Sequence, residues 1–163
     1  MRISSKSIIE WAQRDPEFIQ GISISQIEER LEGSKMDLTL ESVHVIRERN
    51  YDGFIGVETR CTPPTIQIES RDFPVLSRLP QGKRGWTLNE GYYLLRTVET
   101  IRLPDWMSAT VHERTTVFKC GVIVRSTSVD PGFEGKIVAG LYVPDTTALT
   151  IEDGARILSV EFE

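Results

Sequence analysis

The sequence predicts a mainly β domain, an antiparallel sandwich or barrel preceded by short helices. After residue 33 the chain consists of short runs of strand-like composition separated by turn residues. These runs cover residues 36–40, 43–47, 65–69, 92–98, 108–112, 122–125, 137–143 and 157–162. Many short strands in one chain of 163 residues favour a sandwich or barrel over a doubly wound parallel sheet. The chain shows no internal repeat, linker or low-complexity tract, so residues 1–163 are predicted to form a single domain.

Two helices are predicted before residue 34. The first covers Ser5 to about Arg14 and ends at Asp15-Pro16. The second begins near Ser25, because Ser25 and Glu28 match a capping box, and it ends at Gly33. We therefore divide the chain into a helical segment, residues 1–33, and a barrel, residues 34–163.

Turns or loops are predicted at 50–53, 62–64 and 82–85, where Gly, Pro and Asn cluster. The last of these belongs to a basic, Gly-flanked loop at residues 81–85. We interpret this loop as a mobile surface hairpin, with a phosphate contact as the alternative.

Composition and charge narrow the possible functions. A net charge of −5 at pH 7 argues against broad nucleic-acid binding, so a phosphate ligand must meet a local basic cluster. No apolar run approaches the roughly 18 residues of a membrane span, and the first residues lack the apolar segment of a signal peptide. We therefore expect a cytoplasmic protein that binds neither membrane nor nucleic acid. Cys61 and Cys120 lie far apart and are expected to be buried or half-buried side chains, not a disulfide or a zinc site.

A polar stretch between residues 114 and 135 contains the candidate site residues. It combines cations and hydroxyls with an acid, Asp130, that Pro131-Gly132 holds in a turn. The cations and hydroxyls are Arg114, Thr115, Thr116, Lys119 and Arg125. Charge-assisted donors and hydroxyls near a helix start bind phosphate, and a carboxylate beside Mg²⁺ stays ionised. The stretch predicts a polyphosphate site with Asp130 as base or metal-holding group; an ordinary hairpin with solvated charges is the alternative.

Five blocks of the sequence occur in the order known from one family. Residues 3–9, ISSKSII, are similar to its L-S-D-x-D-I, and residues 35–38, KMDL, to its S-x-D-[LV]. Residues 88–104, LNEGYYLLRTVETIRLP, are similar to L-x-P-G-x-F-x-L-x-x-T-x-E-x-i-x-L-P. Residues 114–116 are similar to R-S-S, and residues 129–135, VDPGFEG, to I-D-P-G-F-x-G. Over nearly its whole length the chain therefore resembles the dCTP deaminase branch of the dUTPase superfamily.

This resemblance implies a distorted jelly-roll-like β-barrel with N-terminal helices, and a homotrimer with active sites between subunits. It implies that the triphosphate of a pyrimidine deoxyribonucleotide is contacted by Arg114, Thr115, Thr116 and Lys119. Asp130 would hold the 3′-hydroxyl of the sugar and orient the attacking water in members that hydrolyse dUTP. Phe133 would lie against the deoxyribose, and Mg²⁺ would be held through the nucleotide phosphates without a direct protein ligand.

Several positions depart from the family pattern. Aligned without gaps from Asp130, Gly140 occupies the position of the glutamate with which deaminating members activate water. Ser159 replaces a glutamine late in the pattern, and the hairpin between Gly121 and Asp130 is shorter than in deaminases. Glu134 is predicted to lie in the turn before the strand, where it cannot replace the missing glutamate.

Three functions remain open from the sequence. The first is Mg²⁺-dependent hydrolysis of dUTP to dUMP and pyrophosphate, which needs Asp130 but no acid at position 140. The second is deamination of dCTP to dUTP and ammonia through another carboxylate. The third is a non-catalytic trimeric relative that binds a nucleotide or a protein partner, or is purely structural. Subunit association would also cover Trp106 and Met107, although packing of Trp106 in its own core is an equal alternative.

Overall fold

The computed structural model describes residues 3–46, 53–55, 57–73 and 81–163. Within these ranges the chain forms three helices: α1 (Ser5–Arg14), α2 (Ile24–Arg30) and α3 (Thr115–Lys119). The same ranges contain fifteen strands: β1 (Ile19–Gln20), β2 (Leu31–Glu32), β3 (Lys35–Ile46), β4 (Phe54–Ile55), β5 (Arg60–Cys61), β6 (Thr65–Ile68), β7 (Arg71–Asp72), β8 (Arg84–Leu88), β9 (Gly91–Arg102), β10 (Ala109–Glu113), β11 (Ile123–Arg125), β12 (Ser128–Val129), β13 (Glu134–Val143), β14 (Leu149–Glu152) and β15 (Arg156–Phe162). The turn predicted at 50–53 lies outside the described residues except for Gly53.

The longest strands build one antiparallel sheet that curls into a half-barrel. Its hydrogen-bonded order is β11-β13-β9-β3-β15-β10-β12, and β1, β2 and β6 extend it by pairing with β9, β3 and β3. A second sheet has the order β14-β8-β7, and β4 pairs with β5. The mainly β, barrel-like fold predicted from the sequence is confirmed.

β3 joins the two halves of the large sheet. Its first residues pair with β15 and its last with β9 and β6. A bulge between Leu40 and Ser42 bends the strand and leaves Glu41 exposed. The sequence predicted two strands here, 36–40 and 43–47, because the strand pattern stops at Glu41; the structure has a single strand of 12 residues.

The core lies between the inward faces of β3, β9, β13 and β15. Along β9, every second residue from Tyr93 to Ile101 is buried, as the alternation of a strand requires. Phe18, which follows α1, packs against Phe162 of β15 with ring centroids 5.4 Å apart. Through this contact the helical segment shares the core of the barrel.

A buried ion pair fastens α2 to the sheet. Arg30 Nη1 lies 2.6 Å from Glu99 Oε1, and the Glu99 side chain is fully buried. Arg30 also donates to Thr39 Oγ1 at 2.8 Å, and the Thr39 backbone N–H donates to Glu99 Oε2 at 2.9 Å. Each carboxylate oxygen of Glu99 therefore has a partner, which offsets part of the cost of burying the charge.

The N-terminal segment differs from its prediction in two details. α1 has the predicted bounds, but α2 is capped by Ser23 and Gln26, not by Ser25 and Glu28. The Ser23 side chain accepts from the Gln26 backbone N–H at 3.3 Å, and Gln26 Oε1 accepts from the Ser23 N–H at 2.9 Å. The sequence offers two overlapping Ser-x-x-acid/amide pairs, and the earlier one forms the cap. The segment also contributes β1 and β2 to the sheet, so it is not purely helical.

Two strands outside the predicted set, β8 and β14, pair with each other. Most of β8 follows the loop that was predicted as a surface hairpin at 81–85, and its Gly85 pairs with Glu152. A Cβ atom at Gly85 would lie 1.9 Å from the Ile151 carbonyl oxygen, so only glycine permits this approach of the two backbones. Glycine is read from sequence as a turn residue, and here it is required by a tertiary contact.

Candidate functional site

A polar pocket lies where β3, β15 and β10 run side by side. The strand register places Asp37, Ser159 and His112 in one row across these three strands. The pocket has a volume of about 470 Å³. It is lined by Arg30, Glu32, Lys35, Asp37, His112, Glu113, Arg114, Thr115, Thr116 and Ser159. We call it the Arg114 pocket.

Arg114 is held by two contacts on its guanidinium. Its Nη2 lies 3.0 Å from Asp37 Oδ2, and its Nη1 donates to the Arg156 carbonyl oxygen at 3.2 Å. Ser159 Oγ donates in turn to Asp37 Oδ1 at 3.0 Å. Ser159, which replaces the glutamine of the family pattern, therefore orients Asp37. Asp37 in turn orients Arg114.

A second group of charges beside this pocket was not singled out from the sequence. The Glu161 carboxylate is only 4% exposed and accepts from Ser34 Oγ at 2.9 Å. Lys35 Nζ lies 3.6 Å and His112 Nε2 lies 3.4 Å from its other oxygen. The signal was present as polar residues two apart on one strand, Ser159 and Glu161, because that spacing puts both on one face.

The structure brings together only part of the predicted phosphate set. Arg114 directly precedes α3, and the exposed Thr115 and Thr116 form its first turn at the edge of the Arg114 pocket. Lys119 is the last residue of α3 and does not line this pocket. Arg125 lies on β11, directly opposite Gly140 of β13, also away from the pocket.

Asp130 and Phe133 line a different pocket, of about 280 Å³. It is lined by Val111, Ser126, Thr127, Ser128, Val129, Asp130, Phe133, Lys136, Ile137 and Val138. The predicted turn is present, since the Phe133 N–H donates to the Asp130 carbonyl oxygen at 3.1 Å. Gly132 has φ +76°, and a Cβ there would lie 3.0 Å from Asp105 Oδ1. The Asp130 side chain is exposed at the mouth of this pocket, which we call the Asp130 pocket.

The two pockets lie at opposite ends of β10. Val129 pairs with Ala109, which places Asp130 beside the first residues of β10. Arg114 follows the last residue of the same strand. Five strand residues rise about 17 Å, so Asp130 lies well away from Arg114. The sequence predicted one polyphosphate site that contains both Arg114 and Asp130, and within a single chain this prediction is wrong. Residues 114–135 are continuous in sequence, but they span the length of a strand.

Gly140 lies on the outward face of β13, beneath a tyrosine. A Cβ at this position would lie 2.0 Å from Tyr92 Oη and 2.7 Å from Tyr92 Cζ. Glu134 is the first strand residue of β13 and pairs with Arg102, so its placement in the preceding turn is corrected. It still lies about 20 Å along the strand from Gly140, because six residues separate them.

Further features bear on the type of site. Across the described part of the chain, no group of three or more His, Cys, Asp or Glu side chains is arranged to hold a metal ion. Cys61 and Cys120 are both exposed, contrary to the expected burial. None of the helices described above is long and apolar enough to cross a membrane.

Comparisons with known proteins agree with this fold and these motifs. A family model described as dCTP deaminase-like matches residues 5–163. A probable deoxyuridine 5′-triphosphate nucleotidohydrolase of Methanosarcina barkeri is 25% identical over 161 residues, covering 98% of this chain and 86% of the relative. The dCTP deaminase of Halorubrum lacusprofundi is 29% identical over 105 residues, 63% of this chain and 51% of the relative.

Two further matches have the same character. The dUMP-forming dCTP deaminase of Dictyoglomus thermophilum is 30% identical over 108 residues, 65% of this chain and 56% of the relative. The chain thus spans just over half the length of these two deaminases. The crystal structure of 2′-deoxycytidine 5′-triphosphate deaminase from Agrobacterium tumefaciens superposes with a TM-score of 0.65 at 17% identity, covering 99% of this chain and 46% of that chain. Since the family model spans all but the first four residues, the chain belongs to the dCTP deaminase-like family.

Proposed function

We propose that the protein binds a pyrimidine deoxyribonucleoside triphosphate and hydrolyses dUTP to dUMP and pyrophosphate in the presence of Mg²⁺. One observation carries the choice of hydrolysis over deamination. The position that holds the water-activating glutamate in the deaminase pattern is Gly140, and Tyr92 fills the space above it. The groups that hydrolysis needs, Arg114 with its neighbouring hydroxyls and Asp130, are both present and accessible.

The Arg114 pocket would hold the phosphates. The contacts to Asp37 and Arg156 orient the guanidinium, and a pre-oriented arginine binds phosphate oxygens without a further ordering cost. Thr115 and Thr116 add hydroxyl donors at the pocket edge. Lys119 and Arg125 lie outside this pocket, so they have no direct part in this arrangement.

The Asp130 pocket would hold the sugar and the attacking water. The Phe133 ring would lie against the deoxyribose, and Asp130 would accept a hydrogen bond from the 3′-hydroxyl or from the water. Lys136 lines the same pocket and forms an ion pair with Glu41. Mg²⁺ would be bound by phosphate oxygens and water, as this ion commonly is in nucleotide sites, and would neutralise charge on the phosphates.

The names of the relatives support both nucleotide chemistries. The relative that this chain matches most fully of those described above is named a probable dUTP nucleotidohydrolase. Others are named dCTP deaminases, including dUMP-forming ones. Deamination is therefore the second candidate, and position 140 is the residue difference that speaks against it.

We further propose that the site is assembled between copies of the chain in a homotrimer. The phosphate half and the sugar half lie in separate pockets of one chain, so one nucleotide would have to contact two chains to reach both. The outward face of the large sheet also exposes large apolar side chains: Ile46, Tyr92, Ile123, Val138 and Tyr142. An apolar face of this kind is typical of a surface that another chain covers.

Trp106 and Met107 were both expected to be covered by subunit association, but they differ in exposure. Met107 is 1% exposed and belongs to the core, so it needs no partner. Trp106 is 60% exposed and contacts Trp11 edge to face, with ring centroids 5.2 Å apart. Trp106 therefore does not pack in the core of its own chain.

The first experiment compares products from dUTP and dCTP with Mg²⁺, separated by ion-exchange chromatography. We expect dUMP and pyrophosphate from dUTP, loss of this activity in Asp130→Asn, and full activity in Asp145→Asn, an exposed turn acid elsewhere. If dCTP instead yields a deoxyuridine nucleotide, the protein is a deaminase and the proposal of hydrolysis is wrong. If neither nucleotide is converted, the third function holds: the protein is a relative without catalytic activity.

The second experiment tests the shared site. Arg114→Ala and Asp130→Asn proteins, each inactive alone, are mixed, dissociated and reassembled. If each site takes its arginine and its acid from different chains, mixed trimers contain some sites with both, and activity returns. A site within one chain would stay inactive in every mixture.

A further inference from the structure

The phenol of Tyr92 and a side chain at position 140 compete for the same space. Tyr92 lies near the start of β9, and its hydroxyl reaches diagonally over Gly140 on the neighbouring β13. A Cβ at Gly140 would lie 2.0 Å from Tyr92 Oη, far inside van der Waals contact. Tyr92 is still 42% exposed in the single chain, so its outer edge is open to a ligand. The hydroxyl is therefore presented on the sheet surface where a residue at 140 would otherwise project.

This surface continues into the Asp130 pocket. Val138 lines that pocket and lies two residues before Gly140 on the same face of β13, about 7 Å along the strand. Leu94 pairs with Gly140, and together with Val138 it lines a neighbouring groove of about 730 Å³. Lys136 lines both cavities. A ligand that enters the Asp130 pocket and extends along β13 past Val138 therefore reaches the Tyr92 hydroxyl, with Leu94 and Arg125 paired to Gly140 on its two sides.

The geometry points to Tyr92 as the residue that reads the pyrimidine base, an inference that rests on the proposed function. With the sugar against Phe133, the base lies over Val138 and its polar edge meets Tyr92 Oη. A hydroxyl both donates and accepts, so it serves the 4-oxo group of uracil and the 4-amino group of cytosine. Gly140 is then required for its lack of a side chain, because any Cβ displaces the phenol from this position.

Tyr142 provides a matched control in the same chain. It is the cross-strand neighbour of Tyr92, lies on the same outward face, and is 39% exposed. It stands two residues beyond Gly140, farther from the Asp130 pocket. Tyr142→Phe also removes one phenol hydroxyl from this face, but at a position away from the proposed base site.

The test measures binding by isothermal titration calorimetry of α,β-imido-dUTP, dCTP and inorganic tripolyphosphate. We expect Tyr92→Phe to weaken both nucleotides roughly three- to tenfold, the size of one hydrogen bond, and to leave tripolyphosphate unchanged because it has no base. Tyr142→Phe should bind all three ligands like the wild-type protein. Equal loss for tripolyphosphate would show a general structural effect and overturn the assignment.

A second variant tests the competition for space. Gly140→Ala should weaken the nucleotides as much as Tyr92→Phe, and the double variant should be no weaker than Gly140→Ala alone, since both changes remove one contact. Additive losses would overturn the assignment. Nucleotide binding that is unchanged in Tyr92→Phe overturns this inference alone. A wild-type protein that binds neither nucleotide overturns the proposed function and this inference with it.

Discussion

Arg114 Nη2 and Asp37 Oδ2 lie 3.0 Å apart, although 77 residues separate them in the chain. The guanidinium also reaches the Arg156 carbonyl oxygen, so two of its edges are occupied by the protein. The side chain that would meet the phosphates is thereby aimed before any ligand arrives.

Replacing Arg114 by lysine keeps the positive charge but removes the planar pair of N–H donors that a guanidinium has. A lysine has no planar pair of donors to reach Asp37 and the Arg156 carbonyl together, so its ammonium is no longer aimed. We expect the affinity for tripolyphosphate to fall about tenfold, the size of a charge-assisted hydrogen bond. Isothermal titration calorimetry measures this, with Arg84→Lys as a control, because Arg84 pairs with Asp72 elsewhere on the surface. Equal affinities for Arg114→Lys and wild type would show that charge alone is sufficient.

The buried pair of Arg30 and Glu99 predicts a large loss of stability when one partner is removed. Arg30→Met leaves the fully buried Glu99 carboxylate without its counter-charge, which costs about 3–5 kcal/mol of unfolding free energy. Urea denaturation measures the change. Adding Glu99→Gln should recover part of the loss, because the uncompensated charge is then gone.

An exposed pair serves as the control for this measurement. Lys6 and Glu10 on α1 are 86% and 49% exposed and 3.9 Å apart. Lys6→Met should change stability by less than about 0.5 kcal/mol. A similar effect of Lys6→Met and Arg30→Met would contradict the assigned role of burial.

Gly85 is required by the close pairing of β8 and β14. Alanine would place its Cβ 1.9 Å from the Ile151 carbonyl oxygen and 2.9 Å from Glu152 Cα, both backbone atoms that cannot rotate away. We expect Gly85→Ala to lower the unfolding free energy by about 1–3 kcal/mol, which is the usual cost of overpacking. Thermal unfolding followed by circular dichroism measures it.

Gly33→Ala separates this steric effect from backbone strain. Gly33 has φ +65° but no atom within 4 Å of a Cβ, so its replacement adds strain without a clash. The expected cost is about 1–2 kcal/mol. If Gly85→Ala proved harmless while Gly33→Ala did not, the β8–β14 contact would be looser than described.

Tyr93 predicts a loss of stability at alkaline pH. Burial raises the pKa of its phenol above the ordinary value of 10.0, and its hydroxyl donates to the Asn89 carbonyl oxygen at 2.9 Å. Below pH 10 the phenol is protonated in both states, so its contribution to stability is fully present. Above pH 10 the unfolded state loses its proton first, and stability falls as pH rises through the raised pKa of the folded state.

Urea denaturation between pH 8 and pH 11.5 checks this for the wild-type protein and Tyr93→Phe. The variant should be less stable at pH 8 by about 1 kcal/mol, since it lacks the hydrogen bond, and should lose less stability with rising pH. Parallel pH profiles of the two proteins would exclude Tyr93 as the titrating group.

Helices and strands that are defined by residues close together in the sequence could be predicted from the local sequence pattern. α1 has its predicted bounds because its cap, apolar face and Asp15-Pro16 stop lie within one short segment. β9 and β13 were found because alternation along a strand is visible in the strand itself. β3 was split in two because a bulge interrupts alternation without ending the strand.

Elements and contacts that depend on distant residues were not predictable in this way. β8 was partly assigned to a loop, because the reason for Gly85 is the carbonyl of Ile151, 66 residues away. Glu161 was not predicted, because its partners come from distant parts of the chain: Ser34 from the turn before β3, Lys35 from β3 and His112 from β10. The overlapping caps at Ser23 and Ser25 both fit the local sequence pattern, so the pattern does not select between them, and the structure has the cap at Ser23.

The sequence by itself determined the mainly β class, the helical start, the Arg114 and Asp130 motifs and the missing acid at Gly140, since each depends on residue types and short spacings. The tertiary structure alone decided that Arg114 and Asp130 stand at opposite ends of β10, that Asp37 and Ser159 aim Arg114, and that Tyr92 covers Gly140. The physical reason is strand register. Pairing determines which distant residues become neighbours, and a strand separates residues that are close in sequence by about 3.3 Å for each step.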